Sequence, residues 1–130
     1  MKPILAALMV GALLIAGCTA PSPGDAGYND VNAMEARALI DQNPDLVIID
    51  VSPIYGEGHI PGAINYYVGD GSLDAAIPSL DPNGQYLVYC HTNAASIQGA
   101  QKLVDAGFTT VYRLEGNLKA WVDAGYPVEK

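Results

Sequence analysis

Basic residues are scarce in this chain, 6 lysines and arginines against 14 acidic residues, for a formal net charge of −8. A surface of that sign repels phosphate backbones, which disfavours nucleic acid as a partner, and none is expected. Cysteine and histidine are as sparse, with two of each. Cys18 and Cys90 make no disulfide framework, and Cys90, His91 and the distant His59 lack the ligand spacing of a zinc site, so no metal is expected. There is no internal repeat and no low-complexity segment. Long apolar runs are missing too: only Ile4 to Ile15 comes close, and it is shorter than the roughly 20 residues of a spanning helix. The 130 residues suffice for one modest domain.

What is present begins with a targeting signal. Lys2 is a minimal positive start, the run from Ile4 to Ile15 is almost wholly apolar, and small residues precede Cys18. Residues 1–17 therefore read as a secretory signal peptide. Ile15, Ala16, Gly17 and Cys18 resemble a bacterial lipobox, which implies cleavage before Cys18, lipidation of its thiol and a domain anchored to a bacterial membrane outside the cytoplasm. An uncleaved N-terminal helix and a plain secreted protein are the alternatives. Residues 18–29, with Pro21, Ser22, Pro23, Gly24 and Gly27, have the turn and linker composition of a tether. The folded domain is expected over 30–130.

Within it, strand-like and helix-like stretches alternate. Asn32 and Glu35 form a capping-box pattern ahead of Ala36, Leu39 and Ile40, and Asn43 and Pro44 end that helix. Leu46 to Ile49 reads as a central strand closed by Asp50, and Ala63 to Asn65 as a short one. A brief helix around Leu73 to Ile77 and a turn at Asp81 to Gly84 follow. Leu87, Val88 and Tyr89 suit a strand buried on both faces and ending on Cys90. After a loop of His91, Thr92, Asn93, Ala94 and Ala95, a helix is expected from about Ser96, carrying Ile97, Ala100, Leu103 and Val104 and stopping at Gly107. Val111 to Leu114 is a further strand, and Leu118 to Ala124 a last helix with Trp121 in the core. No hairpin signal joins neighbouring strands, which indicates an α/β fold with a mainly parallel central sheet and helices on both faces.

The chemistry concentrates at Cys90. A loop of small residues can turn its backbone N–H groups inward, and the following helix N-terminus adds partial positive charge. Such surroundings make a thiolate nucleophile out of a thiol whose ordinary pKa is roughly 8.5. The bland reading is a buried cysteine filling a strand end. Asp50 ends its strand at the same carboxyl edge, where α/β sheets gather their chemistry, and either orients the loop or forms a local turn. His59, among glycines and Pro61, reads as the brace of a compact turn rather than a base.

LVYC, a short loop, a serine, a helix ending in DAGF and then VYRLEGNLKAW resemble the second half of a rhodanese (sulfurtransferase) domain. VIIDV at 47–51 and GHIPGAIN at 58–65 resemble the other signature, and together they cover Val31 to Val128 in family order. The resemblance implies a rhodanese-like three-layer sandwich. It also implies that Cys90 takes the outer sulfur of a donor such as thiosulfate or a polysulfide, holds it as a persulfide and passes it to a thiol or cyanide. No cofactor is required, the partners are a small sulfur-containing substrate and a thiol acceptor, and a monomer is expected. Ser96 matches the loop serine of the family, but Ala95 stands where an arginine is typical and Asn93 where glycine is common. Ser52, after Asp50, occupies the place of another frequent arginine. These departures suit a second class, a rhodanese-like binding or sulfur-sensing module. A cysteine phosphatase or arsenate reductase is disfavoured, because such loops clamp a dianion with arginine.

Overall fold

The computed structural model describes residues 27–130. The signal peptide, the lipidation of Cys18 and the tether up to residue 26 lie outside the described residues.

Among the described residues, five short strands and four α-helices follow one another: β1 (Asn29–Val31), α1 (Ala33–Gln42), β2 (Val47–Asp50), β3 (Ile64–Asn65), α2 (Ser72–Ala76), β4 (Gln85–Tyr89), α3 (Asn93–Asp105), β5 (Thr110–Leu114) and α4 (Asn117–Asp123). They build one sheet in the order β1-β5-β4-β2-β3, with every neighbouring pair parallel. Parallel strands need crossovers, and the crossovers cover both faces. On one face Ala33, Ala36, Leu118 and Trp121 of α1 and α4 pack with Ile48, Leu87 and Tyr89. On the other, Leu73, Ala100 and Leu103 of α2 and α3 pack with Ile49, Val88 and Val111. Odd and even residues of β2 and β4 thus serve opposite cores, which is why those strands read as unbroken apolar runs. The result is the rhodanese-like α/β sandwich expected from the sequence.

Local signals place several elements. The Asn32 carboxamide accepts the Glu35 N–H at 2.8 Å while the Glu35 carboxylate accepts the Asn32 N–H at 2.9 Å, a complete capping box for α1. His59 is buried, stacks on Tyr55 with ring centroids 3.7 Å apart, and meets the Tyr55 carbonyl through Nδ1 at 3.0 Å. Its backbone pairs with Glu129, so the turn around it clasps the C-terminal end of the chain. The Trp121 indole N–H donates to the Pro127 carbonyl at 2.7 Å.

Two elements differ from the sequence reading. The tether composition runs to Asn29, yet Asn29 begins β1, whose register with β5 pairs it with Tyr112. Three residues are too few to show a period, and only the exposed flank of β5 makes this segment a strand. The helix expected from about Ser96 starts at Asn93, because the Thr92 hydroxyl accepts the Ala95 N–H at 3.3 Å and caps it there. Asn93, Ala94, Ala95 and Ser96 are therefore the first turn of α3, and the true loop shrinks to His91 and Thr92.

Candidate active site

β4 is the middle strand of the sheet, and Cys90 follows directly at its carboxyl end, 2 % exposed and unpaired. The close approach of α3 depends on Gly99. A Cβ there would lie 3.1 Å from the Val51 Cγ1 and 3.3 Å from the Val88 Cγ1, so the glycine lets the helix settle on these two buried valines without displacing them. That packing brings the first turn of α3 over the end of β4. His91, Thr92, Asn93 and Ala94 are exposed, Ala95 is half-buried and Ser96 is buried. The N–H groups of His91, Thr92, Asn93 and Ala94 have no hydrogen-bond acceptor among the described residues, since the capping pattern satisfies only Ala95 and Ser96. Four free donors in succession, beside a cysteine and at the positive end of a 13-residue helix, form an anion-binding arrangement.

Cys90 itself is gripped by the junction of β5 and α4. Its N–H donates to the Asn117 side-chain oxygen at 3.2 Å, and its carbonyl accepts the Leu118 N–H at 3.1 Å. Gly116 and Asn117 make this junction with successive φ values of 82° and 59°. The left-handed conformation is ordinary for glycine, but it costs an asparagine of order 1 kcal/mol or more.

A second layer lies beneath the loop. The Arg113 guanidinium, 5 % exposed, pairs through Nε with the Asp30 carboxylate at 2.8 Å. Its Nη1 donates to the Asn93 side-chain oxygen and to the Ser96 hydroxyl, both at 3.1 Å. Asn117 donates its side-chain N–H to the same Asn93 oxygen at 2.9 Å. Because arginine can only donate, the Asn93 atom facing it is the oxygen, and the remaining amide orientations follow in sequence.

Asp50 and Ser52, expected as supporting residues, lie on the neighbouring strand end. Asp50 is fully buried; one carboxylate oxygen accepts the Ser52 N–H at 2.8 Å and the other has no hydrogen-bond partner. Asp50 thus shapes the turn after β2, and no hydrogen bond joins it or Ser52 to His91–Ser96. In register beside it, Tyr89 accepts the Ile60 N–H at 3.0 Å. Burial pushes the Tyr89 phenol well above its usual range, and the Asp50 charge adds to the shift.

No motif in the sequence marks Arg113 or Asn117 as part of the site. One signal was available: Arg113 interrupts the apolar pattern of a strand covered on both faces, and an arginine there must be buried and paired.

A parallel α/β sandwich with a cysteine at the carboxyl end of its middle strand and free amides at the next helix start defines a cysteine-loop domain. Residues 32–124 match the family model for the rhodanese-like domain, and the chain belongs to that family. Among curated relatives, the thiosulfate sulfurtransferase GlpE of Pseudomonas fluorescens is 34% identical over 94 residues, 72% of this chain and 84% of that protein. The solution structure of the rhodanese-like domain of Anabaena Alr3790 superposes with a TM-score of 0.70 at 30% identity, covering 78% of this chain and 79% of the other. The polysulfide-sulfur transferase homodimer of Wolinella succinogenes gives 0.66 at 26% identity, covering 80% of each chain.

Proposed function

We propose that this protein is a sulfurtransferase that carries sulfane sulfur on Cys90. The run of unpartnered N–H groups from His91 to Ala94 beside Cys90 carries the reading, because a persulfide is an anion that needs such donors. The Cys90 thiolate attacks the outer sulfur of thiosulfate or a polysulfide. A new S–S bond forms on Cys90 while the old one breaks, and its electron pair leaves with sulfite or the shortened polysulfide. An acceptor thiolate then attacks the terminal sulfur, leaves as a persulfide and regenerates the Cys90 thiolate. Charge balances in both steps, and no cofactor takes part.

Burial of Cys90 selects a slim donor that can present a terminal sulfur. With Ala95 and Ser52 where guanidinium groups would face a sulfonate, the loop offers amides and neutral side chains only, which favours polysulfide or persulfide donors over thiosulfate. Mass spectrometry after exposure to each donor is the test: the peptide containing Cys90 gains one sulfur atom, and Cys90→Ser gains none. Sulfur found elsewhere, or none at all, overturns the proposal. The same departures favour one second reading, a sulfur-sensing module; it would replace the first if Cys90 is loaded but no thiol unloads it.

The domain is further proposed to act as a monomer, held by a lipid on Cys18 at the extracytoplasmic face of a bacterial membrane. The lipobox-like tetrapeptide after an apolar run supports this. Cys18→Ser is expected to move the protein out of the membrane fraction, and unchanged fractionation with Met1 retained would refute the anchor.

A further inference from the structure

We propose that Arg113 and Asn117 are positioning residues for the Cys90 loop, acting as a relay of hydrogen bonds that aligns the first turn of α3 with the backbone of Cys90. The inference deepens the sulfur-transfer reading and rests on it only for the kinetic part of its test.

The relay is continuous. Asp30 holds the guanidinium from one side, at 2.8 Å. Arg113 holds Asn93 and Ser96, the first and fourth residues of α3, at 3.1 Å each. Asn93 shares its side-chain oxygen with Asn117 at 2.9 Å, and Asn117 turns its own oxygen to the Cys90 N–H at 3.2 Å. Ser96 completes the ring by donating to the Asn93 carbonyl at 3.2 Å. Every link is a donor matched to an acceptor, and Ser96, Arg113, Asn117 and Cys90 are all buried. The first turn of α3 and the backbone of Cys90 are thereby referred to one rigid object, the end of β5.

Two features separate this from ordinary packing. Asn117 holds a left-handed φ of 59°, which glycine would adopt without strain and an asparagine adopts at a modest conformational cost. Its side chain spends both of its polar atoms on the loop, one on Cys90 and one on Asn93. Arg113, for its part, reaches a residue of the loop's first turn although the loop has no cation of its own. The four free N–H groups can face a sulfur anion only if the peptide planes from Cys90 to Ala94 hold their angles, and the relay pins both ends of that segment. A misplacement of about 1 Å can cost about two orders of magnitude in such a site.

The test uses the full chain as wild type, Asn117→Gly, Arg113→Lys and the double variant. Three readouts are followed: the amide resonance of Cys90 in labelled protein, kcat and KM for sulfur transfer from inorganic polysulfide, and the folding midpoint. Asn117→Gly is expected to lower kcat about tenfold with KM little changed. Its midpoint should fall modestly, since relief of the left-handed φ offsets only part of the lost hydrogen bonds. Lysine at 113 keeps its pairing with Asp30 but cannot fork to Asn93 and Ser96, so kcat falls in the same direction and the Cys90 resonance moves. The double variant is expected to be no worse than Asn117→Gly, because both break one chain of contacts. A Cys90 resonance unmoved by Arg113→Lys, or losses that multiply in the double variant, overturns the relay. Should Arg113→Lys fail to fold, Asn93→Ala cuts the middle link at an exposed position, and an unmoved Cys90 resonance there is equally fatal. If wild type accepts no sulfur, the transferase reading fails, while the resonances still decide the relay.

Discussion

Tyr89 shows how one side chain ties the site to the stability of the whole sheet. Its phenol leaves the carboxyl end of β4 on the face opposite the first turn of α3, accepts the Ile60 N–H, and lies beside the buried Asp50. Burial first and the Asp50 charge second raise its pKa far above the ordinary range of a phenol. Unfolded, a tyrosine releases its proton near pH 10, whereas in the fold Tyr89 keeps it well beyond that. The folded state therefore holds the extra proton above pH 10, and its contribution, fully present below that pH, is lost as pH rises at about 1.4 kcal/mol per pH unit. Tyr89→Phe is expected to cost about 1–3 kcal/mol at neutral pH, because the Ile60 N–H loses its acceptor. It should also flatten the alkaline limb of stability. Urea denaturation from neutral pH to pH 11 measures both, and an unaltered alkaline slope would show that the phenol titrates normally.

At the scale of elements, the chemistry depends on where α3 begins and how closely it lies on the sheet. Thr92 sets the first and Gly99 the second. Alanine is a better helix former than glycine by about 1 kcal/mol, so on propensity alone Gly99→Ala should stabilise. The added Cβ meets the Val51 and Val88 methyls at 3.1–3.3 Å, and both valines are fully buried with nowhere to retreat. The expected result is a lower melting temperature, together with slower sulfur uptake as the first turn of α3 lifts from the end of β4. A variant that melts higher than wild type would mean that the valines yield and the helix stays in place. The β5–α4 junction is the counterpart of Gly99 on the other side of Cys90: it holds the strand end by backbone and side chain at once, in place of the ladder bonds β4 no longer makes there.

Over the whole molecule the excess of acid dominates, with a formal net charge of −8 against the anionic sulfur donors proposed for it. Like charges slow encounter, and salt relieves the repulsion over a Debye length of about 10 Å at 0.1 M. For thiosulfate, kcat/KM should therefore rise as inert salt is added, whereas for an uncharged sulfane donor it should stay level. A fall with salt would reveal a local cationic entrance that outweighs the net charge. Arg113 does not supply one, because Asp30 neutralises it below the loop.

The sequence by itself determined the parallel sandwich, the capping box of α1, the doubly buried β2 and β4, and the placing of Cys90 between a strand end and a helix start. These features rest on periodicity and on contacts within a turn or so, and such contacts are written in adjacent residues. Tertiary structure alone decided that Asn29–Val31 is a strand, since its only claim to that state is the open flank of β5. The relay from Asp30 through Arg113, Asn93 and Asn117 to Cys90 was settled in the same way, because its partners are separated by 83, 20, 24 and 27 positions and share no period. Buried polar groups must be paired, but which of them pair is fixed by where the folded backbone brings their atoms, and no local pattern encodes that.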